Sequence, residues 1–252
     1  MKIKLLVVAA ATVVASSAMA QSAFSGFYGQ VGTGYENNSI TSVSTSLKGN
    51  GTGSGDTSTN SASFANQTKS GMPAVIGLGF NYPITKEFLL GLGADYSLTS
   101  QKTSNATSGV IVSTPSSGGS YIIANQQTEI SNRTNIFLTP GYAIDKDKLV
   151  YLKAGYSQQQ LKYTWPTQAG TGNYTNLNAM SSSKTVSGYV LGLGYKQIIT
   201  GGLYGFGEAN YYSYGNANVS SNVSSTSGNT YGVSAPLGSS AYTLLVGVGY
   251  KF

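Results

Sequence analysis

The chain has 252 residues, of which 9% are charged and 40% apolar, with 33 Gly, 19 Tyr and a formal net charge of +6. A mean hydropathy of −0.06, with no internal apolar run of about 18 residues, excludes a polytopic helical membrane protein, and 11% aromatics exclude a wholly disordered chain. There is no Cys and no His, which removes disulfide frameworks, Cys-based zinc sites and most acid–base and nucleophilic constellations.

Residues 1–20, MKIKLLVVAAATVVASSAMA, set Lys2 and Lys4 before an apolar run from Leu5 to Ala15 and close on small residues at Ala18 and Ala20. This layout predicts a cleaved secretory signal peptide with Gln21 as the first mature residue. The run is too short to cross ~30 Å of hydrocarbon as an anchor. Without Lys2 and Lys4 the balance is 12 basic against 8 acidic residues, or +4. The lysines are scattered, so no basic patch points to nucleic acid.

Residues 21–252 read as one domain with a side-chain period of two. Phe27, Val31 and Tyr35 alternate with Gln30, Gly32 and Gly34, and Met72 to Tyr82 puts Ile76, Leu78 and Phe80 opposite Gly77, Gly79 and Asn81. Phe88 to Leu98 sets Leu90, Leu92 and Tyr96 against Gly91, Gly93 and Asp95; Ile136, Leu138 and Tyr142 follow against Arg133 and Asn135. Val150, Leu152 and Tyr156 oppose Lys153, and Tyr189, Leu191, Leu193 and Tyr195 oppose Gly192, Gly194 and Lys196. The segment 203–215 is the least regular, with Glu208 and Asn210 opposite Gly205, Gly207 and Ala209. The last segment is the clearest: Tyr242, Leu244, Val246, Val248, Tyr250 and Phe252 share one face, with small or polar residues and Lys251 on the other. Ten such residues tilted by about 40° cover a ~25 Å hydrocarbon layer.

The links alternate in length. Residues 83–87, 145–148 and 198–202 are short and rich in Pro, Asp and Gly, as tight turns require. Residues 37–70, 101–127, 164–183 and 216–239 are long and dominated by Ser, Thr, Gly and Asn. The pattern predicts an all-β protein: an eight-stranded antiparallel up-and-down transmembrane β-barrel with four long extracellular loops and three short periplasmic turns. A secreted β-sandwich also alternates, but the faces opposite the large apolar residues here are too small and polar to fill a sandwich core.

Asp95, Arg133, Lys153, Lys196, Glu208 and Lys251 all fall on the small-residue face, with Glu36 and Glu129 toward the loop ends. Lys or Arg on the lipid side of the midplane costs about 2–4 kcal/mol, so this parity turns them inward as a lumen polar network. Glycines on the same face, such as Gly79, Gly194 and Gly249, leave room for a narrow polar path. Tyr35, Tyr96 and Tyr156 on the loop side, and Tyr82, Phe88, Tyr142, Tyr195, Tyr250 and Phe252 on the turn side, suit two interfacial girdles. Tyr163 and Trp165, at the edge of a loop, are the candidates for contact with an extracellular ligand. Ser181-Ser182-Ser183-Lys184 contains Ser-x-x-Lys without the helper motifs of a hydrolase. No enzymatic role, cofactor or metal site is expected.

Phe24-Ser25-Gly26-Phe27-Tyr28-Gly29-Gln30-Val31-Gly32 and the run from Tyr242 to Phe252 resemble the first and last strands of small Gram-negative outer-membrane proteins. The pattern across the mature chain resembles the transmembrane domain of the OmpA family and the opacity porin-like eight-stranded barrels. That resemblance implies residence in the outer membrane of a Gram-negative bacterium, among outer-membrane lipids and lipopolysaccharide. It also implies that Tyr250 and Phe252 form a signal read by the outer-membrane assembly machinery. Two functions fit: a structural and surface-interaction role, in envelope integrity or loop-mediated adhesion and recognition, and a small porin-like channel for small solutes or apolar compounds.

Overall fold

The computed structural model describes residues 22–41, 44–49, 59–63, 66–105, 110–112, 120–122, 124–169, 176–225 and 230–252. The predicted signal peptide, with Ala18, Ala20 and Gln21, lies outside the described residues. Eight long antiparallel strands form a ring: β1 Gly26–Thr41, β2 Ala74–Pro83, β3 Phe88–Ser97, β4 Gln127–Ala143, β5 Lys148–Trp165, β6 Met180–Thr200, β7 Leu203–Ser224 and β8 Thr230–Lys251. Each pairs with its sequence neighbour, and β1 closes the ring against β8 from Tyr28↔Lys251 to Thr41↔Gly238. No open edge is then left for the backbone to satisfy in lipid.

The register fixes the shape. Partners traced from Gln30 through Gly77, Asp95, Asn135, Ser157, Gly188, Tyr214 and Ser239 return to β1 at Ile40, ten residues further on. At ~3.3 Å per residue and ~4.8 Å between strands, that stagger tilts the strands by ~40°. Eight strands so tilted enclose a space that side chains can fill.

The short turns form for local reasons. Thr85 Oγ1 accepts from the backbone N–H of Glu87 (3.2 Å) and Phe88 (3.0 Å). Asp145 accepts from the Asp147 N–H (2.9 Å) and from Lys148 Nζ (2.8 Å), and the Lys148 bond holds its carboxyl below the usual aspartate range. Gly201 takes a left-handed φ of +55° in the third, which glycine adopts without a Cβ clash.

Between these turns and a ring of tyrosines (Tyr35, Tyr96, Tyr156, Tyr189, Tyr211 and Tyr242), the outward positions are mostly apolar, with Leu244 60% and Leu78 67% exposed, and the outward hydroxyl of Thr33 donates to Pro73 O at 2.8 Å. Ring pairs stiffen both girdles: Tyr211–Tyr242 centroids are 4.9 Å apart, Phe88–Tyr142 5.1 Å and Phe27–Phe80 4.8 Å.

Above the tyrosines the polarity reverses. Strands β6, β7 and β8 run 21, 22 and 22 residues, about twice a membrane span. Most of the predicted loop 216–239 is therefore ordered strand, with β7 continuing to Ser224 and β8 starting at Thr230, and both ends of 164–183 are strand, since β5 runs to Trp165 and β6 begins at Met180. Here the exposed positions are Ser220, Asn222, Ser224, Ser181 and Ser183, while Val219, Val223, Val233, Leu237 and Leu161 are buried together. This turret has an ordinary water-facing polarity, with apolar groups inside.

Two β-bulges mark the boundary. One extra residue near Asn132 in β4, which takes φ 53°, and another between Tyr214 and Ala217 in β7 each shift the strand parity. Without the second, Asn216 and Asn218 would point into the turret where Ala217 and Val219 now do. The first turns Glu129 outward, correcting the inward position expected for it; its Oε2 lies 3.7 Å from Lys102 Nζ. Bulges do this by leaving one residue unpaired. Beside β8, a strand at Ser44–Gly49 adds Leu47 to the core, and Thr59–Ser63 pairs outside it. A segment near Gln168 and Leu177 roofs the turret through Gln168 N–H to Leu177 O (2.9 Å) and the Leu177 bridge to Ser225.

Candidate functional site

Strand β5 alone lists the contents of the barrel along its axis. Its inward residues run Leu149, Tyr151, Lys153, Ser157, Gln159, Leu161, Tyr163 and Trp165 from the turn end upward, and all are buried. Together they pass through every layer of the interior.

The floor is apolar. Phe24, in the segment before β1, inserts among Leu89, Ala143, Leu149 and Tyr151, and its carbonyl accepts from Asn81 Nδ2 at 2.9 Å. Above it sits Lys196, whose Nζ is 3.8 Å from the Tyr28 ring centroid, 5.0 Å from Tyr204 and 5.3 Å from Tyr151. Among the described residues it makes no ion pair and is held by these ring faces, an attraction that strengthens when water is excluded. Lys251 is half-buried at the turn-side rim, outside the network.

The next layer is a three-charge cluster. Lys153 Nζ donates to Asp95 Oδ2 (2.7 Å) and Glu208 Oε1 (2.9 Å), and lies 4.1 Å from the Phe137 centroid. Glu208 also accepts from Tyr151 Oη (2.7 Å) and Asn210 Nδ2 (2.8 Å), and Asp95 accepts from Asn135. Strands β3, β4, β5 and β7 thus meet at one point across the lumen. Arg133 belongs to the layer above: Nη1 reaches Glu36 (2.7 Å), Nη2 reaches Asn38 (2.8 Å), and Nε and Nη2 share Gln159 Oε1 (3.2 Å each). Its guanidinium lies 4.6 Å from the Tyr212 centroid, and Gln159 passes a bond on to Ser239 (2.9 Å). Five N–H donors on a planar fork make Arg suited to such multiple capture.

Of the six charges expected to form one network, the structure brings Asp95, Lys153 and Glu208 into direct contact, places Arg133 with Glu36 above them, and leaves Lys196 and Lys251 below. Sequence reasoning missed the neutral partners Tyr28, Tyr151, Asn135, Gln159 and Asn210. Their signal was available, because they share the inward parity of the charges.

One expectation is overturned. Tyr163 and Trp165 are 0% and 2% exposed, packed edge to face at 6.1 Å in the turret core, so they are not surface contacts. Tyr163 donates to Gln126, and Trp165 Nε1 to Asn178 O (3.3 Å). The room expected beside the inner glycines is taken up at several of them. A Cβ on Gly194 would overlap the Tyr151 ring, on Gly249 the Tyr204 ring, on Gly79 the Tyr28 hydroxyl and on Gly247 the Phe206 ring. At these four positions the space that glycine frees is occupied by Tyr and Phe side chains, and beside Gly91 and Gly192 by Thr139 and Asn210.

A closed ring with an apolar belt between tyrosine girdles, short turns at one end and a water-facing turret at the other defines a transmembrane β-barrel protein. The chain matches the model of the outer membrane protein beta-barrel domain over residues 6–252. It belongs to that family, and its place is the outer membrane of a Gram-negative bacterium. Among solved structures it is similar to Ail of Yersinia pestis (11% identity, 90% of this chain and 99% of that one, TM-score 0.39). It is also similar to OprG of Pseudomonas aeruginosa (12%, 93% and 99%, 0.43) and to the protease OmpT of Escherichia coli (11%, 90% and 97%, 0.45). No curated protein sequence matches the chain.

Proposed function

We propose that this protein is a closed structural barrel that strengthens the envelope and holds a folded turret at the cell surface for contact with the surroundings. The observation that supports this reading is the layered filling of the lumen: apolar floor, caged Lys196, the Lys153 cluster, the Arg133 cluster and the apolar turret core follow one another along β5. Its partners in this reading are outer-membrane lipids and lipopolysaccharide, the assembly machinery during insertion, and extracellular ligands met by the turret. Catalysis has no part in it, since a chain without His or Cys lacks the usual bases and thiol nucleophiles. The test is planar-bilayer conductance of the refolded protein. Silence, or rare small openings, is expected; stable single-channel steps would overturn the reading in favour of a small porin-like channel.

A further inference from the structure

The turret carries two open grooves with Ser, Thr, Asn and Lys side chains in their walls. One, of about 460 Å³, lies between the strand Ser44–Gly49 and β7–β8, and is lined by Ser46, Lys48, Thr59, Ser220, Asn222 and Ser234 among others. The second, of about 300 Å³, lies between β6 and β7 and is lined by Lys184, Thr185, Ser187, Asn216 and Asn218 among others. Both volumes fall at the lower end of the ~300–1,000 Å³ of small-ligand sites. The two are joined: Ser234 Oγ, in the wall of the first, donates to Asn218 Oδ1, in the wall of the second, at 2.7 Å. Hydroxyl and amide groups, with one ammonium in each groove, therefore form a tract over four adjacent strands, Ser44–Gly49, β8, β7 and β6.

Charge and height indicate the occupant. Neither Lys48 nor Lys184 forms an ion pair among the described residues, whereas Lys102 and Lys148 do. Beyond the upper tyrosines the described residues carry Lys48, Lys69, Lys102, Lys162 and Lys184 against Glu129, so this side has a positive excess. Ser220 and Asn222 follow Tyr211 by nine and eleven residues on β7, one of them taken up by the bulge, which at ~3.3 Å per residue and ~40° tilt sets them ~20 and ~25 Å above the girdle, beyond the headgroups. A ligand here is water-borne, rich in hydroxyls and anionic at separated points.

We propose that this tract binds an anionic oligosaccharide, with Lys48 and Lys184 each taking an acidic group and Ser220, Asn222, Thr185 and Asn218 taking sugar hydroxyls. The proposal rests on the surface-contact reading above and names its ligand class. Such a saccharide can come from the cell's own lipopolysaccharide or from a foreign glycan, and the chemistry of recognition is the same.

The test is calorimetric titration of the refolded full barrel in detergent, free of lipopolysaccharide. Three probes are used: phosphorylated core oligosaccharide released from lipopolysaccharide, a chondroitin sulfate hexasaccharide, and neutral maltohexaose. At least one anionic probe is expected to bind about tenfold or more tightly than maltohexaose; the tighter of the two assigns the source. Lys48→Gln with Lys184→Gln should weaken it by about tenfold, and Ser220→Ala with Asn222→Ala should weaken it while leaving the salt dependence in place. Each variant is checked for the unboiled gel mobility of the folded barrel. Failure of every probe to bind, equal binding of neutral and anionic probes, or indifference to both pairs of substitutions overturns the proposal. A barrel that stays silent in bilayers but binds none of the probes sinks only the tract; a conducting barrel sinks only the surface reading.

Discussion

Replacing Lys153 by Met strands two carboxylates at the centre of the lumen. The side chain is fully buried, with its ammonium 2.7 Å from Asp95 and 2.9 Å from Glu208. Removing one member of a buried ion pair typically costs about 3–5 kcal/mol, because the partner keeps its desolvation penalty without its counter-charge. Asp95 retains Asn135, and Glu208 retains Tyr151 and Asn210, so the loss is expected near the lower end, about 3 kcal/mol. Met keeps the apolar stem, so little of that loss is packing. Converting the stranded acids as well, with Asp95→Asn and Glu208→Gln, should bring stability back to within about 1 kcal/mol of the parent, since a fully neutral set has no charge left to desolvate. The assay is urea unfolding in phospholipid vesicles, read by unboiled gel mobility. A triple variant no more stable than Lys153→Met alone would refute the electrostatic account.

Glu208→Ala should destabilise less than Lys153→Met, because Lys153 keeps Asp95; a larger midpoint shift in the same assay would contradict this. Gly194→Val should cost about 1–3 kcal/mol by overlapping the Tyr151 ring, while Gly205→Val, with no atom nearer than 3.8 Å, should stay within about 0.5 kcal/mol. Deleting residues 44–63 should leave the barrel heat-modifiable yet red-shift the emission of Trp165, since Leu47 leaves the core that buries it; unchanged emission would deny the shared core. Asp145, with its carboxyl held low by Lys148, should titrate by NMR below an ordinary aspartate. Its small contribution is present at neutral pH and lost as the pH falls through that lowered value. Removing Phe252, whose N–H bonds to Phe27 O at 2.9 Å, should lower surface levels in cells while refolding into vesicles continues.

The sequence showed the lipid-facing half of this molecule most clearly, and solvation explains why. Hydrocarbon tolerates no polar group outward, so Leu244, Val246 and Val248, or Leu90 and Leu92, declare their face without any partner being known. Beyond the tyrosines that constraint lapses. Ser220, Asn222 and Ser234 then resemble loop residues although they sit on strands, and the bulge after Tyr214 breaks the count just where it would have been followed. The alternation of Val219, Val223, Val233, Ala235 and Leu237 was there to be read, with apolar groups inward instead of outward. In the lumen, parity identified which charges face inward. It could not show that Lys153 reaches two acids while Lys196 reaches only rings, because that depends on the ten-residue stagger that sets their heights.

The sign of those charges bears on function as much as their position. A selective pore concentrates one sign in a ring around its path, so that an ion meets a net field. The buried interior here sets Arg133, Lys153 and Lys196 against Glu36, Asp95 and Glu208, which cancels at the level of the whole lumen. Each carboxylate is also spent on an internal donor, Glu36 and Asp95 on one cation each and Glu208 on Lys153, Tyr151 and Asn210. A permeating ion would have to displace these bonds in a site already desolvated, and it would gain no counter-charge in return. Such an arrangement favours cohesion across four strands over conduction between them, and it leaves the mature chain's positive excess to the outside, where the turret can use it.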